Sequence, residues 1–184
     1  MSILKKIYNF LIDIVETLLL AAAVFLVIYV FLFRPFQVNG DSMLPNFIDS
    51  EYILTNIITL NFEKPKKGDV IVFKAPPDPE KDFIKRVIAA PNDKIYIKDG
   101  LVFLNGGKLD EGKYLKSGVK TYGGSFLKEG QEVTVPENSY FFMGDNRSYS
   151  SDSREWGFVQ IKSVIGKSFF VYWPLNKMGL VKIP

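Results

Sequence analysis

The sequence predicts a mostly β protein whose body follows a single N-terminal transmembrane helix. An uncharged apolar segment lies close to the N-terminus, and the rest of the chain alternates short β-like runs with turn residues. The first pattern is typical of a membrane span and the second of a β-rich domain. We expect an anchor over residues 1–34 and a β-rich body over residues 35–184. A stretch richer in Gly and Lys, approximately 98–135, predicts a smaller lobe inserted into that body.

The anchor prediction rests on residues 17–33, which read TLLLAAAVFLVIYVFLF and carry no charge. A helix of that length is about 25 Å long, and including Ile14 and Val15 brings it closer to the usual span of about 20 residues. Two lysines precede the segment and only Arg34 closely follows it. This bias favours a cytoplasmic N-terminus and an extracytoplasmic body. A cleaved signal peptide is the alternative, but its apolar region is usually shorter, about 7–15 residues.

The β prediction for the body rests on short runs of β-branched and aromatic residues separated by breakers such as Asn105-Gly106-Gly107. Outside the anchor no sustained helical period and no repeat is present in the sequence. The predicted strands are 51–54, 69–73, 83–88, 94–97, 101–104, 132–135, 140–143 and 167–173.

The composition excludes several kinds of chemistry. The chain of 184 residues has no cysteine and no histidine, and its formal net charge is +3. A thiol nucleophile, a disulfide, a cysteine-ligated metal and a Ser-His-Asp triad are therefore impossible. The scattered lysines form no basic stripe, so we expect no nucleic-acid partner. We also expect no metal and no cofactor.

Ser42 and Lys85 are the candidate nucleophile and base. Ser42 lies in GDSMLP (residues 40–45), where Gly40 permits a tight, exposed bend, although a simple turn serine fits the same pattern. Lys85 lies in the β-like run DFIKRVI (residues 82–88), where alternation gives it the same face as Phe83 and Val87. An edge-strand lysine that opposes aggregation is the alternative interpretation.

A third segment, GDNRSYSSDSR (residues 144–154), combines hydroxyl side chains with two Asp and two Arg. It is either a polar loop or a set of hydrogen bonds and ion pairs that orient catalytic groups. Together the three segments suit a serine that needs a neighbouring base. Without histidine, a neutral lysine amine is the best candidate, provided that burial lowers its pKa from about 10.4. A shift of about 3 pKa units would cost roughly 4 kcal/mol of folding stability.

These segments resemble those of the type I signal peptidases. The resemblance covers most of the chain: the anchor, the serine segment, the strand GDVIVF (residues 68–73), the lysine segment KRVIAAPND (residues 85–93) and the GDNR-S-DSR segment. Their order matches too, and jointly they are highly specific. The resemblance implies a β-rich fold and a serine endopeptidase that hydrolyses the peptide bond after the signal peptide of exported pre-proteins. Ser42 would be the nucleophile, activated by neutral Lys85.

The resemblance also implies supporting and substrate-binding residues. Ser150 matches a serine that hydrogen-bonds the lysine amine, Asp152 and Arg154 match a structural ion pair, and Asp145 and Arg147 match supporting polar residues. The positions expected to contact the substrate, in shallow pockets for small side chains, are Phe36, Val38, Met43 and Ile84.

Four residues depart from the family pattern. Asn46 replaces the usual threonine, and Ala90 and Asn92 replace common glycines. Gly40 stands where some relatives carry a hydroxyl that donates to the oxyanion. The backbone N–H of Ser42 can serve as one oxyanion donor, and the second donor stays open.

The resemblance predicts a single-pass protein of the cell membrane. Its expected partners are signal peptides of pre-proteins, the lipid bilayer and the protein export machinery. Nine positions separate Phe33 from Ser42, which reach at most about 30 Å, so we expect the active site close to the outer membrane surface. Candidates for contact with lipid, each of which could instead fill the core, are Leu44, Phe47, Ile48, Ile57, Ile58 and Leu60.

Two other functions compete with this prediction. A self-cleaving Ser/Lys protease of the SOS-repressor kind looks similar around the serine and the lysine, but it carries a DNA-binding helical domain where this chain has an apolar segment. A membrane-anchored β module without catalysis would bind or scaffold only. The presence of both Ser42 and Lys85 argues against that module, and cleavage of a synthetic pre-protein would decide.

Overall fold

The computed structural model describes residues 3–181 of the chain, without the side chains of residues 28, 30, 31 and 61. The chain divides into two compact units, with the boundary between Arg34 and Pro35. The helices are α1 (Ile3–Leu32), α2 (Thr59–Phe62) and α3 (Ser153–Trp156), with short 3-10 turns at Arg147–Tyr149, Ile161–Ser163 and Leu175–Lys177. The strands are β1 (Phe33–Gln37), β2 (Tyr52–Asn56), β3 (Val70–Ala75), β4 (Asp78–Ala89), β5 (Lys94–Lys98), β6 (Leu101–Leu104), β7 (Gly107–Lys108), β8 (Val133–Thr134), β9 (Ser139–Met143), β10 (Val159–Gln160), β11 (Val164–Trp173) and β12 (Gly179–Leu180).

Helix α1 is long and apolar enough to cross a membrane. Its segment Ile3–Val27 has a mean hydropathy of 2.4, and none of its most apolar window is buried inside the protein. The helix begins well before the predicted apolar segment because backbone hydrogen bonding continues through polar residues such as Asp13 and Glu16. Its exposed apolar surface is what a lipid-facing helix requires.

The main sheet of the body brings the site segments together. Among the described residues it contains eight strands, seven of them in the order β1-β2-β11-β3-β4-β9-β10, with β12 against β11. Strand β4 pairs antiparallel with β3 on one side, where Ile71 lies opposite Lys85, and with β9 on the other, where Arg86 lies opposite Met143. The lysine strand is therefore central, and the chain that leaves β9 enters the third polar segment beside it.

A second sheet lies between β4 and β9 in the sequence. Its order is β7-β6-β5-β8, and it begins at Lys94, just before the boundary predicted for an inserted lobe. Side chains from this sheet, including Ile95 and Val102, share one core cluster with Ile88 and Phe141 of the main sheet. The lobe at approximately 98–135 stays a prediction, since its sheet packs onto the same core.

Each predicted strand coincides with an observed one within a few residues at its ends. Strand β4 begins five residues earlier than predicted, because the charged residues of its first half extend beyond the core. Strands β1, β7, β10 and β12 were not predicted from the sequence, and three of them are only two residues long. Strands of two residues are too short to show the alternation of apolar and polar residues by which a strand is predicted.

Candidate active site

Ser42 lies in a tight turn between β1 and β2. Gly40 has a φ of +83°, a conformation that favours glycine, and its N–H donates to Asp49 Oδ1 at 2.6 Å. The turn then closes with a hydrogen bond from Leu44 N to Asp41 O at 3.1 Å. Ser42 is half-buried, so its hydroxyl is held by the turn while one side remains open to solvent.

The side chain of Lys85 points from the central strand β4 to Ser42. Its Nζ lies 2.7 Å from Ser42 Oγ and 3.0 Å from the backbone oxygen of Ile84. The same Nζ is 5.0 Å from the ring centroid of Phe83, a neighbour that the strand alternation predicted. Serine and lysine are thus brought together across 43 positions of sequence.

Burial lowers the pKa of Lys85 to about 8 from its ordinary value of 10.5. The residue is only 4% exposed, and burial penalises the ammonium form. The negative charges of Asp152 and Asp145 act in the opposite direction and limit the shift. Among the described residues no carboxylate lies within salt-bridge distance of Lys85 Nζ, since Asp145 and Asp152 pair with arginines. Because its pKa is about 8, a substantial fraction of the amine is neutral near pH 8.

A cavity of about 770 Å³ opens in front of the two residues. Phe36, Val38 and Ile84, three of the four residues for which the family resemblance implies substrate contact, line this cavity. Met43, the fourth predicted contact, does not line it, because its side chain is fully buried in the core with Val38 and other apolar residues. The side chain of Met43 supports the turn from beneath instead.

Asp152 and Arg154 form the predicted ion pair close to the site. Arg154 Nε donates to Asp152 Oδ1 at 2.8 Å, and its NH2 group donates to Oδ2 at 2.8 Å. Asp152 Oδ2 also accepts the N–H of Gly144 at 3.0 Å, which ties the end of β9 to the loop. Asp152 is fully buried and Arg154 nearly so, so the pair holds the fold of the loop rather than facing the cleft.

Asp145 and Arg147 each pair with a residue from elsewhere in the chain. Both oxygens of Asp145 accept from Arg86, at 2.8 Å and 2.7 Å, in a fork that excludes solvent. Arg147 pairs with Glu111 and also donates to Thr121 Oγ1 at 2.6 Å. Two ion pairs therefore fasten the third segment, one to β4 and one to the region between β7 and β8.

Ser150 does not make the predicted hydrogen bond to the lysine amine. Its Oγ is buried without a hydrogen-bond partner among the described residues, while Lys85 Nζ bonds Ser42 and Ile84. A Cβ atom at position 144 would lie too close to Ser150 Oγ and to the backbone oxygen of Ser42. Glycine at 144 is what allows the loop and the turn that carries Ser42 to approach so closely.

Four residues of the site were not predicted from the sequence: Arg86, Glu111, Gly144 and Asn46 in its structural role. Asn46 Nδ2 donates to Asp145 Oδ2 at 2.8 Å and to the backbone oxygen of Tyr114 at 2.7 Å. An arginine alternating with isoleucines in an apolar strand was a usable signal for Arg86, because a buried arginine needs a carboxylate. No local signal distinguishes Glu111 from the other acidic residues of its region.

The backbone N–H of Ser42 donates to no protein acceptor among the described residues. Buried or half-buried N–H groups are usually paired, so this one is suited to receive an oxygen of a bound molecule. The N–H of Gly40 is already used by Asp49. The second oxyanion donor therefore stays open.

Comparisons with known proteins agree on one family. The model of the family described as signal peptidase, peptidase S26, matches residues 11–173. Signal peptidase IB of Staphylococcus aureus (strain COL) is 31% identical over 179 residues, which cover 90% of this chain and 92% of that protein. Signal peptidase I of Bacillus caldolyticus is 35% identical over 170 residues, with 86% and 90% covered. The crystal structure of a signal peptidase I from Enterococcus faecalis V583 matches with 30% identity and a TM-score of 0.45, covering 57% of this chain and 97% of that one.

Proposed function

This chain belongs to the peptidase S26 family as a type I signal peptidase, and from that premise we propose that it cleaves exported pre-proteins with Ser42 as nucleophile and Lys85 as general base. The observation that carries the proposal is the distance of 2.7 Å between Lys85 Nζ and Ser42 Oγ. Residues 35–184 would be the catalytic body. The substrate bond would be the one that joins the signal peptide to the mature protein.

The reaction begins with the neutral form of Lys85. Its lone pair accepts the hydroxyl proton of Ser42 while Oγ attacks the carbonyl carbon of the scissile bond. The carbonyl oxygen becomes an oxyanion, and the free N–H of Ser42 donates to it. Lysine is suited to this step because its pKa of about 8 leaves part of the amine neutral at physiological pH.

The protonated Lys85 then completes the reaction. It gives its proton to the departing amine, which becomes the new N-terminus of the mature protein, and Ser42 keeps the signal peptide as an ester. Neutral Lys85 next takes a proton from a water molecule that attacks the ester. The ammonium returns the proton to Ser42 Oγ, and the signal peptide leaves with a free carboxylate.

Phe36, Val38 and Ile84 would select the residues before the cut. All three line the cavity in front of Ser42 and make its walls apolar. Val38 is only 2% exposed and packs into the core, so the pockets for substrate side chains would be shallow. Small side chains one and three positions before the cut fit such walls. Large side chains there would have to displace core residues.

We also propose a membrane arrangement: helix α1 as a single-pass anchor, a cytoplasmic N-terminus, an extracytoplasmic body and contact with the export machinery. The six residues named from the sequence for lipid contact suit that role poorly, since Phe47 is 2% exposed and the others are half-buried. Phe47 belongs to the core. More strongly exposed apolar side chains of the body are Phe62 at the end of α2 and, near the C-terminal end, Trp173, Leu175 and Leu180, and these are better candidates.

The test is cleavage of a purified pre-protein by the full chain in detergent, for wild type and Lys85→Ala. Wild type should release a mature protein with a defined N-terminus, and the variant should be inactive although it remains folded. A chelator and a thiol reagent should leave the wild-type rate unchanged. Near wild-type cleavage by Lys85→Ala would disprove the proposed mechanism.

A further inference from the structure

A groove of about 610 Å³ lies beside the turn that carries Ser42, and neither Phe36 nor Ile84 lines it. Leu44 and Pro45, which follow Ser42 in the turn, form part of its floor. Its other walls come from the stretch 115–122 and from the third polar segment, residues 145–149. We call it the exit groove.

Tyr149 lines both the catalytic cleft and the exit groove. Its side chain is 78% exposed, so it forms a rim between the two cavities rather than a packed wall. The loop that carries it is fixed to the nucleophile turn, because Asn146 N donates to Ser42 O and Asn146 Nδ2 donates to Asp41 O, both at 3.0 Å. A peptide that passes over Ser42 thus meets the groove immediately beyond Tyr149.

The exit groove carries a positive charge that is not balanced within it. Lys116 and Lys120 line it, and both are exposed. Lys120 Nζ donates to the backbone oxygen of Asp99 at 3.5 Å, and neither lysine has a carboxylate at ion-pair distance among the described residues. The two other charged residues in its wall, Asp145 and Arg147, are already neutralised by Arg86 and Glu111. The exposed parts of Val119 and Tyr122 add apolar surface between the lysines.

We propose that the exit groove binds the first residues of the mature protein, those that follow the scissile bond, and that it favours acidic over basic side chains there. The inference rests on the proposed function, because it takes Ser42 as the point of attack. With the residues before the cut against Phe36, Val38 and Ile84, the residues after it would continue past Tyr149, which lines both cavities. At about 3.3 Å per residue, five extended residues span roughly 16 Å.

The experiment uses peptides that share one sequence up to and including the first residue after the cut. The next four residues are acidic, neutral or basic, and kcat/KM is measured for the full chain in detergent at low salt. We expect the acidic peptide to be cleaved about three- to tenfold more efficiently than the basic one, with a smaller ratio at high salt, since exposed charges are screened. Equal kcat/KM for all three peptides would overturn the proposal.

Charge reversal shows whether the preference arises in this groove. Lys116→Glu combined with Lys120→Glu should reverse the order, so that the basic peptide becomes the better substrate. The matched control is Lys98→Glu combined with Lys162→Glu, which changes the net charge equally at exposed sites that line neither cavity. Retention of the wild-type order by the groove variant would show that these two lysines do not set the preference. The same reversal in the control would assign the preference to the overall charge. Either result would reject the groove.

A length series tests the groove without relying on charge. Neutral peptides that end one, three or five residues after the cut should show kcat/KM rising with length, and Tyr149→Ala should reduce this gain. Cleavage of the shortest peptide as efficient as that of the longest would contradict the groove while the proposed function stands. The proposed function itself fails only if wild type cleaves none of the peptides or if Ser42→Ala still cleaves them.

Discussion

Lys85 and Arg86 are neighbours on β4, both cationic and both almost completely buried, yet the protein treats them in opposite ways. Arg86 is 0% exposed and meets both oxygens of Asp145. Lys85 is 4% exposed and meets a hydroxyl and a backbone oxygen, with no carboxylate at ion-pair distance among the described residues. The first cation is neutralised by a partner, and the second is driven toward its neutral form.

The two adjacent residues therefore differ in role: Arg86 is suited to a structural ion pair, and Lys85 is suited to act as a base. A buried guanidinium cannot lose its proton, so it must be paired, and its fork suits a carboxylate. A buried amine can discharge, and a neutral amine beside a hydroxyl is a base. Burial lowers the pKa of Lys85 from 10.5 to about 8. Below pH 8 this shift corresponds to a destabilisation of the fold by roughly 3 kcal/mol.

The largest expected effects concern Ser42 and Lys85, the proposed nucleophile and base. Ser42→Ala and Lys85→Arg should each lower kcat/KM by on the order of 10⁴-fold or more, because one variant lacks the nucleophile and the other cannot act as a base. Pre-protein cleavage in detergent measures this. Lys74→Arg, an exchange at an exposed lysine of β3, should remain active. Turnover by Ser42→Ala close to that of wild type would show that the pair is not the catalytic centre.

The two cations should affect stability with opposite signs. Arg86→Met leaves Asp145 buried without its partner and should lower the free energy of unfolding by about 3–5 kcal/mol. Lys85→Met removes an amine that burial destabilises, so at pH 7 the variant should be as stable as wild type or up to about 3 kcal/mol more stable. Urea unfolding followed by tryptophan fluorescence compares them. Equal losses of unfolding free energy in both variants would show that burial affects Lys85 and Arg86 in the same way.

The pH dependence should follow the lowered pKa of Lys85. We expect kcat/KM to rise with pH around a midpoint near 8, well below 10.5, because only the neutral amine accepts a proton. Stability should change in the same direction. Between about 8 and 10.5 the unfolded chain binds more protons at this residue, so wild type should gain stability relative to Lys85→Met as the pH rises. A midpoint above 10 would mean that burial does not tune this amine.

The smallest expected effect concerns the support around Arg86 and Asp145. Asn46→Ala removes two hydrogen bonds, to Asp145 and to the backbone oxygen of Tyr114, and should cost about 1–2 kcal/mol of unfolding free energy. The cleavage rate should fall much less than in Lys85→Arg, since the reactive pair is untouched. Asn176→Ala, at an exposed asparagine, is the control. A loss no greater than that of the control would remove Asn46 from this network.

Much of the fold was readable from local patterns. The long apolar helix α1 followed from an uncharged apolar run, and strands such as β6 and β9 followed from β-branched and aromatic residues between breakers. These patterns are readable because side-chain burial has a fixed period in each kind of element. The short strands β7 and β12 were not predicted, because two residues are held by their partner strands and not by their own sequence.

The sequence by itself determined the chemistry that is possible: without cysteine or histidine, a serine enzyme had to use a base such as lysine, and Ser42 and Lys85 stood in segments able to supply both. Only the tertiary structure decided which polar groups meet. It paired Asp145 with Arg86 and Arg147 with Glu111, and within the described part of the chain it left Ser150 Oγ without a partner. It also buried Met43 beneath the turn. Such pairings depend on strands adjacent in space and distant in sequence, and the lowered pKa of Lys85 depends on burial that no single segment provides.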